Sequence, residues 1–211
     1  MLFRSDFKLG ESATAEPAEL LHADVLVMES TFGLPKYRMP PRAEMVELLI
    51  ETVRIALADG KTPVIHAYPL GKSQEVTKLL TTAGIPVLQH SAIYEISRIY
   101  EECGMPLGDV GPYLPPSAFP EPRTLNPEPF HHGHAVVTLP RGMNDFRLAN
   151  LGRTVSIAPT GWAVDPRTKY RWGVDHAIPL SDHADFDQLV ETVRRVNPRE
   201  VHMNRDRKSV V

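Results

Sequence analysis

The sequence is poor in cysteine. Cys103 stands alone among 211 residues, which excludes an internal disulfide and any multi-cysteine zinc site. A single thiol fits a reducing cytoplasm. Long apolar runs are absent too: none approaches the roughly 20 residues that a membrane helix needs. The first residues lack the basic and apolar order of a secretory signal. Charge of one sign is also missing. The formal net charge is -3, so no global field marks a polyanion partner, although a local basic track on a near-neutral protein is compatible with one. No internal repeat is present. What remains is ordinary globular usage: 42% hydrophobic and 23% charged residues predict a packed core rather than disorder. The length bounds one large domain or two small ones.

Apolar spacing alternates between two periods. Val25 to Met28 reads as a buried strand ending at Glu29. Arg42 to Ala58 has helical spacing, with Met45, Leu48, Leu49, Val53, Ala56 and Leu57 on one stripe and Gly60 as its stop. Pro63 to Ala67 reads as a second strand. Ser73 can cap a helix that ends at Gly84. Ile85 to Leu88 is a third strand, and Ser91 can cap a helix with Ile93, Ile96, Ile99 and Tyr100 inward. Residues 111–130 hold seven prolines and read as a long surface loop. Strands resume at Ala135 to Leu139, Thr154 to Ala158 and Ala177 to Leu180, and a last helix from about Ala184 to Val196 buries Phe186, Leu189, Val190, Val193 and Val196. This alternation predicts parallel βαβ units. Strands at both ends bracket the centre, which predicts one α/β layer with a second α/β unit inserted.

Three acidic signatures carry the chemistry. Ser5-Asp6-Phe7-Lys8-Leu9 opens the chain. A carboxylate such as Asp6 can bridge two metal ions through its two oxygens; a plain turn aspartate is the alternative. Glu29-Ser30-Thr31-Phe32-Gly33 follows the first apolar strand, and strand C-termini are where open α/β sheets place their sites. Glu29 can accept a hydrogen bond from a histidine and fix its orientation, or simply face solvent. Leu180-Ser181-Asp182-His183-Ala184-Asp185-Phe186 comes about 150 residues later. His183 can give a proton to a leaving oxygen while Glu29 holds its tautomer; the alternative is a helix cap by Ser181 and Asp182 with an incidental histidine.

In this order, the three signatures resemble the β-CASP nucleases of the metallo-β-lactamase fold, across residues 3–204. The stretches from Thr31 to Tyr37 and from Ser181 to Asp185 look closest to bacterial ligase-associated DNA exonucleases and mRNA 3′-end processing-like factors. The resemblance implies a partial metallo-β-lactamase αββα layer (residues 1–40 and 151–205) with an inserted Rossmann-like β-CASP domain (residues 41–150). It implies two zinc ions, with Asp6 bridging them, Glu29 paired with His183, and His183 as general acid. Asp182 and Asp185 become supports that act through their neighbours. Lys72 and Ser73 sit at a turn whose amides would face a nucleic-acid backbone. Lys169-Tyr170-Arg171-Trp172 mixes bases with aromatics, which suits phosphate contact and base stacking; an amphipathic edge strand is the alternative. The implied partner is single-stranded DNA or RNA, with no membrane. DNA exonuclease action in repair, in functional association with a DNA ligase, is preferred over RNA processing or a non-catalytic nucleic-acid-binding role.

Other features carry less. Gly71-Lys72-Ser73 resembles a phosphate loop but lacks the glycine needed where His66 stands. His131-His132-Gly133-His134 is not followed by Asp-His and reads as surface. Cys103 reads as core. The family's His-x-His-x-Asp-His box does not occur before Asp6. Arg205 stands where the family closes with a histidine, and His202 is three positions early, so it faces the opposite side of a strand. The residues from Asp206 to Val211 match the translation of a common sequencing adapter, so a non-native tail is expected. The chain is therefore expected to be an interior piece of a longer protein, to bind zinc weakly, and to cleave nothing by itself.

Overall fold

The computed structural model describes residues 2–4, 6–113, 133–140 and 151–204. Ser5, most of the proline-rich stretch, His131, His132, Arg205 and the tail from Asp206 lie outside the described residues.

The strands β1 (Leu2–Arg4), β2 (Val25–Glu29) and β9 (Glu200–Asn204) form one sheet in the order β1-β2-β9, with both pairings parallel. Alternation on β2 puts Leu26 and Met28 on a buried face. That face meets α5 (Phe186–Val196), whose Leu189 and Val196 join Phe7 and Ala184 in one apolar cluster. Each such fully buried side chain stabilises the layer by roughly 1.5–3 kcal/mol.

Between β2 and β9 the chain builds a second sheet. Its strands are β3 (Thr62–His66), β4 (Val87–Gln89), β5 (Val110–Pro112), β6 (Ala135–Thr138), β7 (Thr154–Pro159) and β8 (His176–Ile178). They lie in the order β5-β4-β6-β3-β7-β8, all parallel. Every residue of β3 is buried, as befits a central parallel strand covered on both faces. The helices α1 (Arg42–Ala58), α2 (Lys72–Thr82) and α3 (Ser91–Glu102) contribute Leu49, Val53, Val76, Leu80 and Ile93 to the core around Ile65, Val137 and Ile157. Because all six strands run the same way, the segments leaving β3, β7 and β8 emerge at one edge, where open α/β sheets place their sites. The chain is thus an α/β layer carrying an inserted α/β sheet, as its strand spacing predicts. Among the described residues no helix is long and apolar enough to cross a membrane.

Several local expectations change. The division expected at residue 150 does not fall at a sheet boundary, because β7 and β8 hydrogen-bond into the inserted sheet beside β3. The loop expected from residue 111 begins later, since Val110–Pro112 pairs with β4 as an edge strand. An edge strand tolerates the missing N–H of Pro112. Leu48, Ile99 and Cys103 face outward rather than inward. α3 buries only Ile93 and Ser97, and Ser97 is drawn in by the Gln74 side-chain amide, which donates to its hydroxyl at 3.1 Å. The segment from Lys169 to Trp172 is no edge strand but α4 (Thr168–Trp172). The Thr168 hydroxyl donates to the Trp162 carbonyl at 2.6 Å, Asp165 accepts the Arg167 N–H, and Gly173 ends the turn in the left-handed region; these local bonds outweigh the alternation. The residues that cap α2 and α3 are Gly71 and His90 rather than Ser73 and Ser91, and α5 is capped by Asp185.

Gly161, just after β7, lies against Phe32: an added Cβ would stand 2.5 Å from its ring. Phe32 is itself wedged between Tyr37 and Trp162, so it has nowhere to go. Gly161→Ala should destabilise the chain by about 1–3 kcal/mol, read as a lower urea midpoint at unchanged slope; an unchanged midpoint would show that this packing is loose.

Candidate active site

Glu29 ends β2 almost fully buried. A buried carboxylate is costly unless each oxygen is satisfied. Here Oε1 accepts the Phe7 backbone N–H at 3.1 Å, and Oε2 lies 2.9 Å from His183 Nδ1. Burial works against its ionisation, but the hydrogen bond and charge of His183, with help from Thr31 and the Phe7 N–H, hold Glu29 below its ordinary value. The same pairing raises His183. Burial favours the neutral ring, but Glu29 outweighs it, and Asp6 and Asp182 add to the pull. A carboxylate only accepts, so Nδ1 carries the hydrogen and Nε2 is the ring position available for chemistry.

The backbone around His183 is fixed locally. The His183 N–H donates to Ser181 Oγ at 2.9 Å, and that hydroxyl donates to the His183 carbonyl at 3.0 Å. The Ala184 N–H donates to the Phe7 carbonyl. Asp185 caps α5 by accepting the Gln188 N–H, and its other oxygen accepts the Met39 N–H. The Phe186 N–H donates to the Tyr37 carbonyl at 3.1 Å. These bonds bring Tyr37 beside Phe32 and Trp162, and Phe32 meets the His183 ring edge-on at 6.0 Å. The imidazole therefore has a carboxylate at Nδ1 and an aromatic wall at its side.

Asp6 completes the group, 3.8 Å from His183 Nδ1 and largely exposed. Among the described residues, Asp6, Glu29 and His183 are the set whose ligand atoms lie within 4.8 Å of one another. They do not fit a zinc pair by themselves. Both Glu29 oxygens and His183 Nδ1 are spent on each other and on Phe7, which leaves the Asp6 carboxylate and His183 Nε2, whereas a catalytic zinc takes three protein ligands.

A second cluster adjoins the first. Glu75, buried in the first turn of α2, receives Arg42 Nη2 at 2.7 Å, Lys8 Nζ at 2.8 Å and Lys72 Nζ at 3.5 Å, and the Ser12 hydroxyl donates to it at 3.2 Å. Lys72 also meets Asp182 at 2.6 Å. Burial opposes ionisation of Glu75, but the charges of Lys72 and Lys8, with hydrogen bonds from Lys8 and Arg42, hold it far below its ordinary value. Asp182 is pushed up, first by burial and then by Glu75, with Lys72 pulling the other way. Glu75, Lys8 and Arg42 are not among the residues that the sequence motifs single out. An acid three positions after Lys72, at (i, i+3) spacing on one helix face, was the available signal for Glu75; Lys8 and Arg42 are too distant in sequence to give one.

The remaining expected residues are placed as follows. Lys72 and Ser73 are turned inward, not toward a ligand. The Ser73 hydroxyl donates to the Tyr68 carbonyl at 2.6 Å, and Lys72 spends its charge on Glu75 and Asp182. Lys169 and Arg171 lie exposed on α4, where Arg171 pairs with Asp165 at 3.4 Å. His134 lies before β6 and joins no metal-binding group among the described residues. His202, opposite Val27 in register, is exposed beside Glu200.

The chain is similar in sequence to several known proteins. A probable DNA ligase of Opitutus terrae is 35% identical over 201 residues, which is 95% of this chain and 18% of that protein. RNase aCSPSF2 of Saccharolobus solfataricus is 34% identical over 87 residues, 40% of this chain and 17% of that protein. An uncharacterized protein in the lig 3′ region of Acidianus ambivalens is 31% identical over 105 residues, 49% of this chain and 71% of that protein. No family model matches the chain. The chain spans less than a fifth of the first two relatives, 18% and 17%. The α/β layer, with a second parallel sheet inserted between β2 and β9, has the layered arrangement of the metallo-β-lactamase fold. The chain belongs to the β-CASP nuclease family of that fold.

Glu75 titrates below its ordinary value of 4.5, so its cluster contributes stability that is fully present above that pH and is lost as the pH falls through the folded value. Glu75→Gln leaves three cations facing a neutral amide. It should cost about 3–5 kcal/mol at neutral pH, with the gap to the parent chain closing in acid. Urea melts across that range check this; a gap independent of pH would contradict it.

Proposed function

We propose that the whole protein is a zinc-dependent nucleic-acid phosphodiesterase of the cytoplasm, and specifically a DNA exonuclease that works with a DNA ligase on single strands. The observation that carries this is the 2.9 Å contact between Glu29 and His183, with Asp6 beside it. A buried carboxylate that orients an imidazole at Nδ1 leaves Nε2 to hold a proton for a leaving oxygen. Phe32 and its aromatic neighbours shield one side of that ring, which keeps the Glu29 interaction strong in a low-dielectric setting. Zinc would supply an activated water and charge for the phosphate. Asp6 is the one carboxylate here free to touch it, so the other ligands must come from outside this set. On this reading the 211 residues alone bind zinc weakly and do not cleave.

DNA is preferred because similarity to the probable DNA ligase of Opitutus terrae runs through 95% of the chain. RNA is the second reading, favoured by the resemblance to RNase aCSPSF2 over 40% of it. Lys169 and Arg171, exposed on α4 beside Tyr170, would touch the strand's backbone and bases.

Two outcomes test this. In the whole protein, His183→Ala should lower cleavage of end-labelled single-stranded DNA by about 10²–10⁴-fold, and Glu29→Gln by about 10–100-fold. RNA cut faster than DNA would move the assignment to the second reading, and full activity in His183→Ala would end both. The isolated 211-residue chain, dialysed against zinc and analysed for bound metal, should hold none in stoichiometric amount; one tightly held ion per chain would contradict the ligand count.

A further inference from the structure

We propose that Lys72 is a positioning residue for His183, acting through Asp182, and that Glu75 is the counter-charge that allows Lys72 to be buried there. This rests on the reading of His183 as the proton donor. Lys72 is 4% exposed, and a buried ammonium is costly without a partner. Yet Glu75 already has Lys8 and Arg42 at 2.8 and 2.7 Å, and Lys72 stands farther from it, at 3.5 Å. Its nearer partner is Asp182, at 2.6 Å. The buried cation is therefore aimed at Asp182.

Asp182 has no capping duty to explain it. α5 is capped by Asp185, and the turn around His183 is closed by Ser181. What Asp182 does have is its place in the chain, directly before His183. The far side of that turn is tied to the first sheet through Ala184 and Phe7. The near side is tied by Asp182 to Lys72, in the first turn of the inserted sheet's α2. His183 is thus held between the two sheets. Gly71, which precedes Lys72, lies at φ +80°, a backbone conformation in which a side chain would be strained, although an added Cβ would meet Asp182 Oδ2 only at an ordinary contact distance of 3.9 Å.

Arg42 supplies the control. At the head of α1, it bonds the same Glu75 oxygen as Lys8, whereas the ion pair with Asp182 is made by Lys72 and not by Arg42. A purely structural role predicts that Lys72→Met and Arg42→Met behave alike. Positioning predicts that they differ at His183. The readout is solvent exchange of the His183 Nδ1 proton by nitrogen-15 NMR in the metal-free 211-residue chain. Lys72→Met and Asp182→Asn should speed exchange about tenfold or more, the equivalent of about 1.4 kcal/mol of lost protection, while Arg42→Met stays near the parent rate and Lys72→Arg restores it. In the whole protein, Lys72→Met should lower kcat about 10²-fold with KM unchanged, the scale of a 1 Å misplacement. Equal exchange in Lys72→Met and Arg42→Met, or no change in Lys72→Met, overturns the proposal. If Lys72→Met does not fold, Asp182→Asn, which leaves Lys72 beside Glu75, decides it in the same way. The exchange comparison needs no cleavage, so it stands or falls separately from the nuclease assignment.

Discussion

The burial of one carboxylate, Glu29, organises this molecule. It sits at the end of a strand whose Leu26 and Met28 are packed against α5, where an ionised group is unfavourable unless its oxygens are occupied. Phe7 and His183 occupy them. That requirement brings together three segments far apart in sequence: the stretch after β1, the end of β2, and the turn before α5. The site is the place where those segments must meet for Glu29 to be buried at all.

The inserted sheet depends on a parallel device. Glu75 is buried among Lys8, Arg42 and Lys72. Lys8 belongs to the first layer, and the other two to the helices of the inserted one. Asp182 extends the network to within one residue of His183. Breaking such a cluster costs more than forming it gains, because the group left behind stays buried and unpaired. It ties the stretch after β1 to α1 and α2 of the inserted unit. The His183 ring lies at that junction, with the Glu29 carboxylate on one side and the Lys72–Asp182 ion pair one residue away on the other.

Much of this was legible in the sequence. The alternation of strand and helix from β2 to α3, the span of α1 and the insertion between two end strands follow from periodicity, whereas the edge strand β5 and the turn α4 do not. That Asp6, Glu29 and His183 would lie together was implied by the resemblance of their motifs to the β-CASP pattern, and the three ligand atoms do lie within 4.8 Å of one another. The failures share a cause. Ile99 and Cys103 fit an apolar stripe, but α3 presents only a narrow face to the core, and a polar contact between Gln74 and Ser97 decides which face it is. Lys169 to Trp172 alternates like a strand, yet side-chain bonds from Thr168 and Asp165 close it into a helical turn. Lys72 and Ser73 look like an exposed phosphate turn because nothing local shows that Asp182 and Tyr68 will be waiting for them. Long-range partners of charged groups have no sequence period, so periodicity cannot find them.

The most direct test of the account is the titration of the His183 ring, followed by carbon-13 NMR in the metal-free chain and in Glu29→Gln. A buried, ionised Glu29 bonded to Nδ1 predicts a midpoint above the ordinary 6.5 in the parent chain, and a fall toward or below it once the carboxylate becomes an amide. A parent midpoint at or below 6.5 that Glu29→Gln leaves unmoved would contradict the claim that this carboxylate governs the imidazole.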